Sequence, residues 1–289
     1  MTLEKTSPCK VNLLLNVLGK RADGFHELET VMHPVHVCDR LSFARGGQGI
    51  QLTCSEPGLP TDTGNLAHRA ASAFLHAAGI RDGVRIHLEK RVPLAAGLGG
   101  GSGNAATTLL GLNELFDRPL PLERLQNLAA SLGSDVPFFL QTRPALATGR
   151  GEKIEPLDPF PALQGTALLL VHPGFGISTA WVYQQLARFP DASKGRPGRA
   201  QKLVALLQTG DRPAAAAEFY NSLEAPVVEK YPLLVMFQDF LRAHGAVAAR
   251  MSGSGSATWA LAPSEAGARQ LEEQLKARFG AVWTAVVPL

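Results

Sequence analysis

Pro93-Leu-Ala-Ala-Gly-Leu-Gly-Gly-Gly-Ser-Gly-Asn104 carries five glycines, four of them within Gly97–Gly101, and runs straight into a segment of small residues at helical spacing. Glycine reaches positive φ without steric cost and lets backbone N–H groups approach a ligand with no Cβ in the way. A helix start adds unpartnered N–H donors and the positive end of a dipole. Together these make an anion cradle suited to a triphosphate. A flexible linker or a plain helix entry accounts for the glycine count equally well.

Two familiar phosphate loops are excluded. A P-loop needs Lys and then Ser or Thr after its last glycine, and here Asn104 follows Gly103. A dinucleotide fingerprint needs its glycines directly off a strand, but Pro93 intervenes, the sixth position is Ser102, and the acids Glu114 and Asp117 fall on or after the helix. The H-R-D and D-F-G signatures of protein kinases are absent from the chain.

Outward from the loop, helices and short strands interleave. Cys9, Val11, Leu13, Leu15 and Val17 alternate with Lys10, Asn12 and Asn16, which predicts a half-buried strand with Lys10 and Asn12 together on its polar face. A helix is expected over Asn65–Ala78, stopped by Gly79, then a strand over Val84–Glu89. Helices follow over Ser102–Phe116 and Leu122–Leu132. Further on, Ala167–Val171 reads as a strand, Ser178–Leu186 as a helix and Pro190–Arg199 as a polar loop. Tyr231–His244 is helical, Ala246–Met251 and Thr258–Ala262 are strands around a Gly-Ser turn, Glu265–Phe279 is helical and Ala281–Val287 closes as a strand. The order predicts an α+β protein of two layered domains, 1–160 and 161–289, with the seam near the prolines of 158–164.

The 289 residues hold 45% hydrophobic and 18% charged side chains, and Lys plus Arg exceeds Asp plus Glu by 28 − 25 = 3. That excess is too small to imply nucleic acid. Lys194, Arg196, Arg199 and Lys202 lie among glycines and a proline, as a solvated loop does. Cys9, Cys38 and Cys54 have no metal-ligand spacing and read as reduced thiols. The N-terminus lacks an apolar signal core and no stretch approaches membrane-spanning length, so a cytoplasmic location and no membrane partner are expected.

Ser7-Pro-Cys-Lys-Val-Asn-Leu13, Pro93–Ala106 and Met251-Ser-Gly-Ser-Gly-Ser-Ala257 resemble, in order and spacing, the three motifs of the GHMP kinases. Arg21-Ala-Asp-Gly-Phe-His-Glu-Leu28, Gly97–Ser102 and Gly133-Ser-Asp-Val-Pro-Phe-Phe139 are similar to marks of a branch whose acceptor is a small alcohol carried on cytidine diphosphate. The resemblance runs nearly end to end. It implies a two-domain GHMP kinase fold, N-terminal ribosomal-protein-S5 domain-2-like and C-terminal ferredoxin-like, using ATP with Mg²⁺ as a monomer or homodimer. Homoserine and mevalonate are the alternative acceptors, and neither carries a base to stack.

By the same resemblance, Lys10 and Asp135 carry the chemistry; read bare, Lys10 is a strand-edge lysine and Asp135 caps the turn at Pro137. ATP falls to Asn65, Lys90, Pro93, Leu94, Ala95, Ala96, Gly97, Leu98, Gly99, Gly100, Gly101, Ser102, Gly103 and Asn104, with Ser102 also the candidate metal contact. Asn65 and Ser102 read equally as helix N-caps, and Asn104 as helix surface. The acceptor falls to Asn12, Phe25, His26, Thr179, Tyr183, Gly253 and Gly255, with cytosine between the rings of Phe25 and Tyr183 and its edge read by His26. The branch usually has Ser where this chain has Gly103 and Tyr where it has Phe25. Gly103→Ser is therefore expected to be tolerated.

Overall fold

The computed structural model describes residues 2–289. Two compact units emerge, interleaved along the chain: the first takes the N-terminal stretch through Cys9, His36–Leu94 and Gly99–Thr142, the second Lys10–Val35, Ala95–Leu98 and Arg143–Leu289. Two long neighbouring strands, β1 (Thr2–Lys20) and β2 (His26–Arg45), give residues to both.

In the first unit β3 (Ile50–Cys54) runs parallel to β4 (Val84–Glu89), and β4 pairs antiparallel with the end of β2 from Arg40↔Glu89 to Arg45↔Val84. Val84, Ile86 and Leu88 are buried while Arg85 and His87 face water, the period-two pattern of a sheet covered on one side. Three helices belong to this unit: α1 (Leu66–Ala78), α2 (Gly100–Leu115) and α3 (Leu122–Leu132). Phe43 and Gly111 meet closely; a Cβ at Gly111 would fall 2.6 Å from the Phe43 ring, so the absent side chain lets α2 sit down on the sheet. Gly79 ends α1 at φ 67°, the left-handed stop that its sequence position foretells.

In the second unit the start of β2 pairs with β5 (Ala145–Gly149), which pairs with β6 (Lys153–Pro156). From there the order is β7 (Ala167–His172), α4 (Thr179–Leu186), α5 (Pro190–Ser193), α6 (Arg199–Thr209), α7 (Arg212–Glu218), β8 (Tyr220–Asn221), α8 (Glu224–Lys230), α9 (Leu233–Ala243), β9 (Ala248–Met251), β10 (Thr258–Ala262), α10 (Glu265–Phe279) and β11 (Trp283–Pro288). The short β8 adds to β1 in parallel, Leu14↔Tyr220 and Leu15↔Asn221. The other four strands form an antiparallel sheet ordered β11-β7-β10-β9. Numbered along the chain, that order is 4-1-3-2, the ferredoxin-like arrangement. Its core joins Leu169 and Val171 to Phe237, Leu241, Leu271 and Leu275 from α9 and α10.

Three expectations need correction. β1 is not half-buried where it matters: its polar Lys10, Asn12 and Asn16 are as enclosed as its apolar face, because hydrogen-bond partners await them inside the fold. Pro190–Arg199 is not simply a loop, since α5 opens it and α6 starts at its end. There Glu29, from β2, accepts from the Gly198 and Ala200 N–H groups and satisfies the start of α6, a long-range cap no local pattern announces. The small-residue helix α2 begins at Gly100, two residues before Ser102. Among the described residues no helix is long and apolar enough to cross a membrane.

Candidate active site

The glycine loop is wound by residues in the left-handed region, Ala95 at φ 49°, Gly97 at 75° and Gly99 at 70°. Gly99 is the N-cap of α2, which leaves Gly100, Gly101 and Ser102 as first-turn N–H donors with no intrahelical acceptor. Ser102 is thus no cap, and its hydroxyl bonds to no described residue. An added Cβ at Gly101 would meet nothing nearer than Leu66 Cδ1 at 3.6 Å, so the backbone there stays open to a ligand. These are the properties of an anion cradle. With no cluster of three His, Cys, Asp or Glu side chains among the described residues, a divalent ion here would rest mainly on phosphate oxygens and water, with Ser102 as the nearby hydroxyl.

What holds this entrance is a buried aspartate that the sequence pattern did not single out. Asp39 accepts from the Arg91 and Val92 N–H groups at 2.7 and 2.9 Å, from Asn104 Nδ2 at 2.9 Å, and from the Lys90 ammonium. Asn104 also donates to Ser7 Oγ at 3.0 Å and accepts from Lys90 at 3.2 Å. Asn104 is therefore interior, not helix surface. Lys90 is committed to an ion pair whose side chains are almost wholly enclosed, an arrangement that orients groups more than it stabilises them. Asn65 caps α1 by accepting from Ala67 N at 2.9 Å and donates to the Pro60 carbonyl, so both ends of its amide are used. Gly103 corrects a further expectation. A Cβ there would lie 2.7 Å from the Pro8 carbonyl oxygen and 3.0 Å from Ser7 Oγ, so a serine is not accommodated without moving backbone. Asp135 stands half-buried on the turn between α3 and the 3₁₀ turn Pro137–Leu140, where it is not the cap: Val136 holds that position.

In the second unit Lys10 and Asn12 do share a strand face, and both are buried at 2% and 3% exposure. A lysine kept for solubility at a sheet edge would not be enclosed. Its ammonium donates to Asn12 Oδ1 and, at 3.0 Å, to the Gly97 carbonyl. Thr30, on the unforeseen β2, decides how that asparagine is turned. Its single hydroxyl proton goes to the Leu14 carbonyl, so it must accept from Asn12 Nδ2 at 2.8 Å, leaving Asn12 Oδ1 for the lysine. Trp259 anchors the Asn12 carbonyl at 3.0 Å.

The second glycine loop packs on the first. Ser252 Oγ donates to the Gly97 carbonyl at 3.0 Å, Ala257 N donates to Ala96 O at 2.9 Å, and Ile177 N donates to Ala95 O at 3.1 Å. Gly253 and Gly255 hold φ of 53° and 79°. Thr179 Oγ1 lies 2.8 Å from Ser254 Oγ, which brings the expected Thr179 to this loop.

The rings expected around a base are arranged differently from the simple sandwich. Tyr183 faces His26, with centroids 5.0 Å apart and planes at 30°, while Phe25 is 51% exposed beneath the guanidinium of Arg150 at 4.6 Å. Partial burial, and secondarily the charge of Lys20, lower the pKa of His26 and favour a neutral imidazole, which can both donate and accept. Arg150 is distant from Phe25 in the chain and sits in no motif, so no local pattern marks it.

Family models for the GHMP kinases N terminal domain and the GHMP kinases C terminal region match residues 65–143 and 202–281. A 4-diphosphocytidyl-2-C-methyl-D-erythritol kinase of Synechococcus sp. (strain JA-2-3B'a(2-13)) is 41% identical, over 93% of this chain and 88% of its own. A crystal structure of 4-(cytidine 5'-diphospho)-2C-methyl-D-erythritol kinase superposes with a TM-score of 0.81 at 38% identity, covering 99% of this chain and 100% of that one. A homoserine kinase from Cytophaga hutchinsonii, at TM-score 0.75 and 18% identity over 100% of this chain and 94% of its own, shares the fold.

Proposed function

This chain belongs to the GHMP kinases, and we propose that it transfers the γ-phosphoryl group of ATP to the 2-hydroxyl of 4-(cytidine 5'-diphospho)-2-C-methyl-D-erythritol. The observation that carries this is the 41% identity along nearly the whole chain to a kinase named for that acceptor. A neutral His26 against Tyr183 supports it, since the pair can face and read a pyrimidine. The likeness to homoserine kinase, at 18% identity, concerns the fold alone. Residues 1–160 would be the nucleotide-binding domain and 161–289 the second domain; each family model falls within one of them. The same reading expects a cytoplasmic monomer or homodimer.

In the proposed reaction, the oxygen–phosphorus bond to the acceptor forms as the bond to the ADP leaving group breaks. The α2 entrance binds the phosphates through its first-turn N–H groups and Ser102. Mg²⁺, when bound with ATP, neutralises charge on the phosphate oxygens. Asp135 orients the acceptor hydroxyl and receives its proton. A carboxylate is a weak base for an alcohol, but a loose transition state needs little deprotonation in advance, so placement matters more than basicity. Lys10, fixed by Asn12 and the Gly97 carbonyl, stabilises the negative charge on the transferring group. His26, Tyr183, Phe25 and Thr179 hold the cytidine diphosphate portion. A coupled ADP-release assay over this acceptor, homoserine and mevalonate tests the reading. Turnover of the cytidylated acceptor alone is expected; faster phosphorylation of homoserine or mevalonate would overturn it.

A further inference from the structure

The segment Tyr220–Glu224 stands behind the second glycine loop and has no place in the reaction described so far. Asn221 is 3% exposed and its amide is fully used. Its oxygen accepts from Leu223 N at 2.9 Å, so its NH₂ must face the other way, where it donates to the carbonyls of Met251 and Gly253 at 2.9 and 2.8 Å. Glu224 completes the hold: Oε1 accepts from Met251 N at 2.7 Å and from Gln238 Nε2 at 2.9 Å. Desolvation raises the pKa of this carboxyl, against the Met251 N–H, Arg250, Gln238 and Arg242, so an acceptor is kept here at an electrostatic cost. Ser222 ties the same segment to β1, donating N–H to Leu15 O at 2.8 Å and accepting from Val17 N at 3.0 Å.

Peptide geometry turns this clamp into a pointer. In a planar trans peptide the carbonyl and the following N–H point in opposite directions. The Met251 carbonyl faces Asn221, so the Ser252 N–H faces away, and it meets Ala257 O at 2.9 Å. The Gly253 carbonyl also faces Asn221, so the Ser254 N–H faces away too, and it meets no described residue. Ser254 Oγ, held by Thr179, belongs to the same residue.

We propose that Asn221, supported by Glu224, is a positioning residue of this kinase that aims the Ser254 N–H of the second glycine loop at a phosphate oxygen of the bound substrates. A free backbone donor fixed in direction is the kind of group that binds an anion without reorganising. The inference rests on the kinase reading above, and its test separates the two.

The decisive variant is Asn221→Asp. It keeps the oxygen that accepts from Leu223 N, and so the local turn, but loses both donors to the loop. The expected result is a kcat lower by about 10²-fold with KM for ATP little changed, since misplacing a donor that acts on the transferring phosphate costs rate more than binding. In ¹⁵N-labelled protein without substrate, the Ser254 amide resonance should shift. Wild-type kcat in Asn221→Asp, or a loss of kcat with the Ser254 amide unmoved, would overturn the proposal. If Asn221→Asp does not fold, Glu224→Gln, which keeps an acceptor for Met251 N, should turn over well above Glu224→Leu; equal rates in the two would overturn it. A wild type inactive on the cytidylated acceptor would refute the functional reading, and the substrate-free Ser254 amide would still decide this one.

Discussion

A Cβ added at Gly101 would find its nearest neighbour at 3.6 Å, whereas one added at Gly97, four residues earlier, would lie 2.0 Å from the Ser252 carbonyl oxygen and 2.8 Å from Gly255 N. The same motif thus uses glycine in two ways. At the α2 entrance glycine leaves room for something from outside; in the middle of the loop it lets two backbone segments touch. In the second glycine loop Gly253 is of the latter kind: every residue of Met251–Ala257 is buried, a Cβ at Gly253 would lie 3.0 Å from the Gly97 carbonyl oxygen, and the Met251 and Gly253 carbonyls are tied to Asn221. Ligand-facing and chain-facing glycines cannot be told apart by counting glycines, and they should fail differently when replaced.

The largest effect is expected at Gly97. Gly97→Ala places a methyl group inside backbone and keeps a residue at φ 75°, so overpacking and left-handed strain add to about 3–5 kcal/mol, a large part of a domain's stability. Denaturant unfolding would measure it, and a variant as stable as wild type would break the comparison. Next come Lys10 and Asp135, where stability is not the readout. Asp135→Asn and Lys10→Ala should each lower kcat by about 10²–10³-fold, and the double variant should be scarcely worse than the worse single one. Additive losses in a double-mutant cycle would mean that the two act independently.

A smaller loss is expected at Gly103, which faces the chain although the motif would suggest a ligand. Gly103→Ser should destabilise by about 1–3 kcal/mol, because Pro8 and Ser7 must yield; an unchanged unfolding midpoint would show that they yield freely. The smallest effect on the fold belongs to Gly101 and Ser102. Gly101→Ala should leave the midpoint unchanged or raise it, since alanine favours the helix by up to about 1 kcal/mol, yet it should raise KM for ATP. Ser102→Ala should do the same to KM without the gain. A fall in stability with unaltered KM at Gly101 would reverse the distinction between the two kinds of glycine.

Much of the frame was legible because local rules set it. Gly79, Gly133 and Gly280 end their helices where the pattern places them, and β4, β10, α3 and α10 keep the expected limits. β2 was not legible. Its polar residues mix with its apolar ones because Glu29, Thr30 and Asp39 are buried to serve partners far away in sequence, which breaks the alternation that marks a strand.

The sequence alone determined the family, the two glycine loops, the ferredoxin-like order of strands and helices, and the pairing of Lys10 with Asn12, since each rests on spacing between near neighbours or on motifs in order. Tertiary structure alone decided which way the groups face. Thr30 turns Asn12, Asp39 commits Lys90 and Asn104, His26 takes the place beside Tyr183, and Gly97 and Gly103 are closed to side chains. Hydrogen-bond direction and steric clearance depend on atoms brought together from distant parts of the chain, and no periodicity records them.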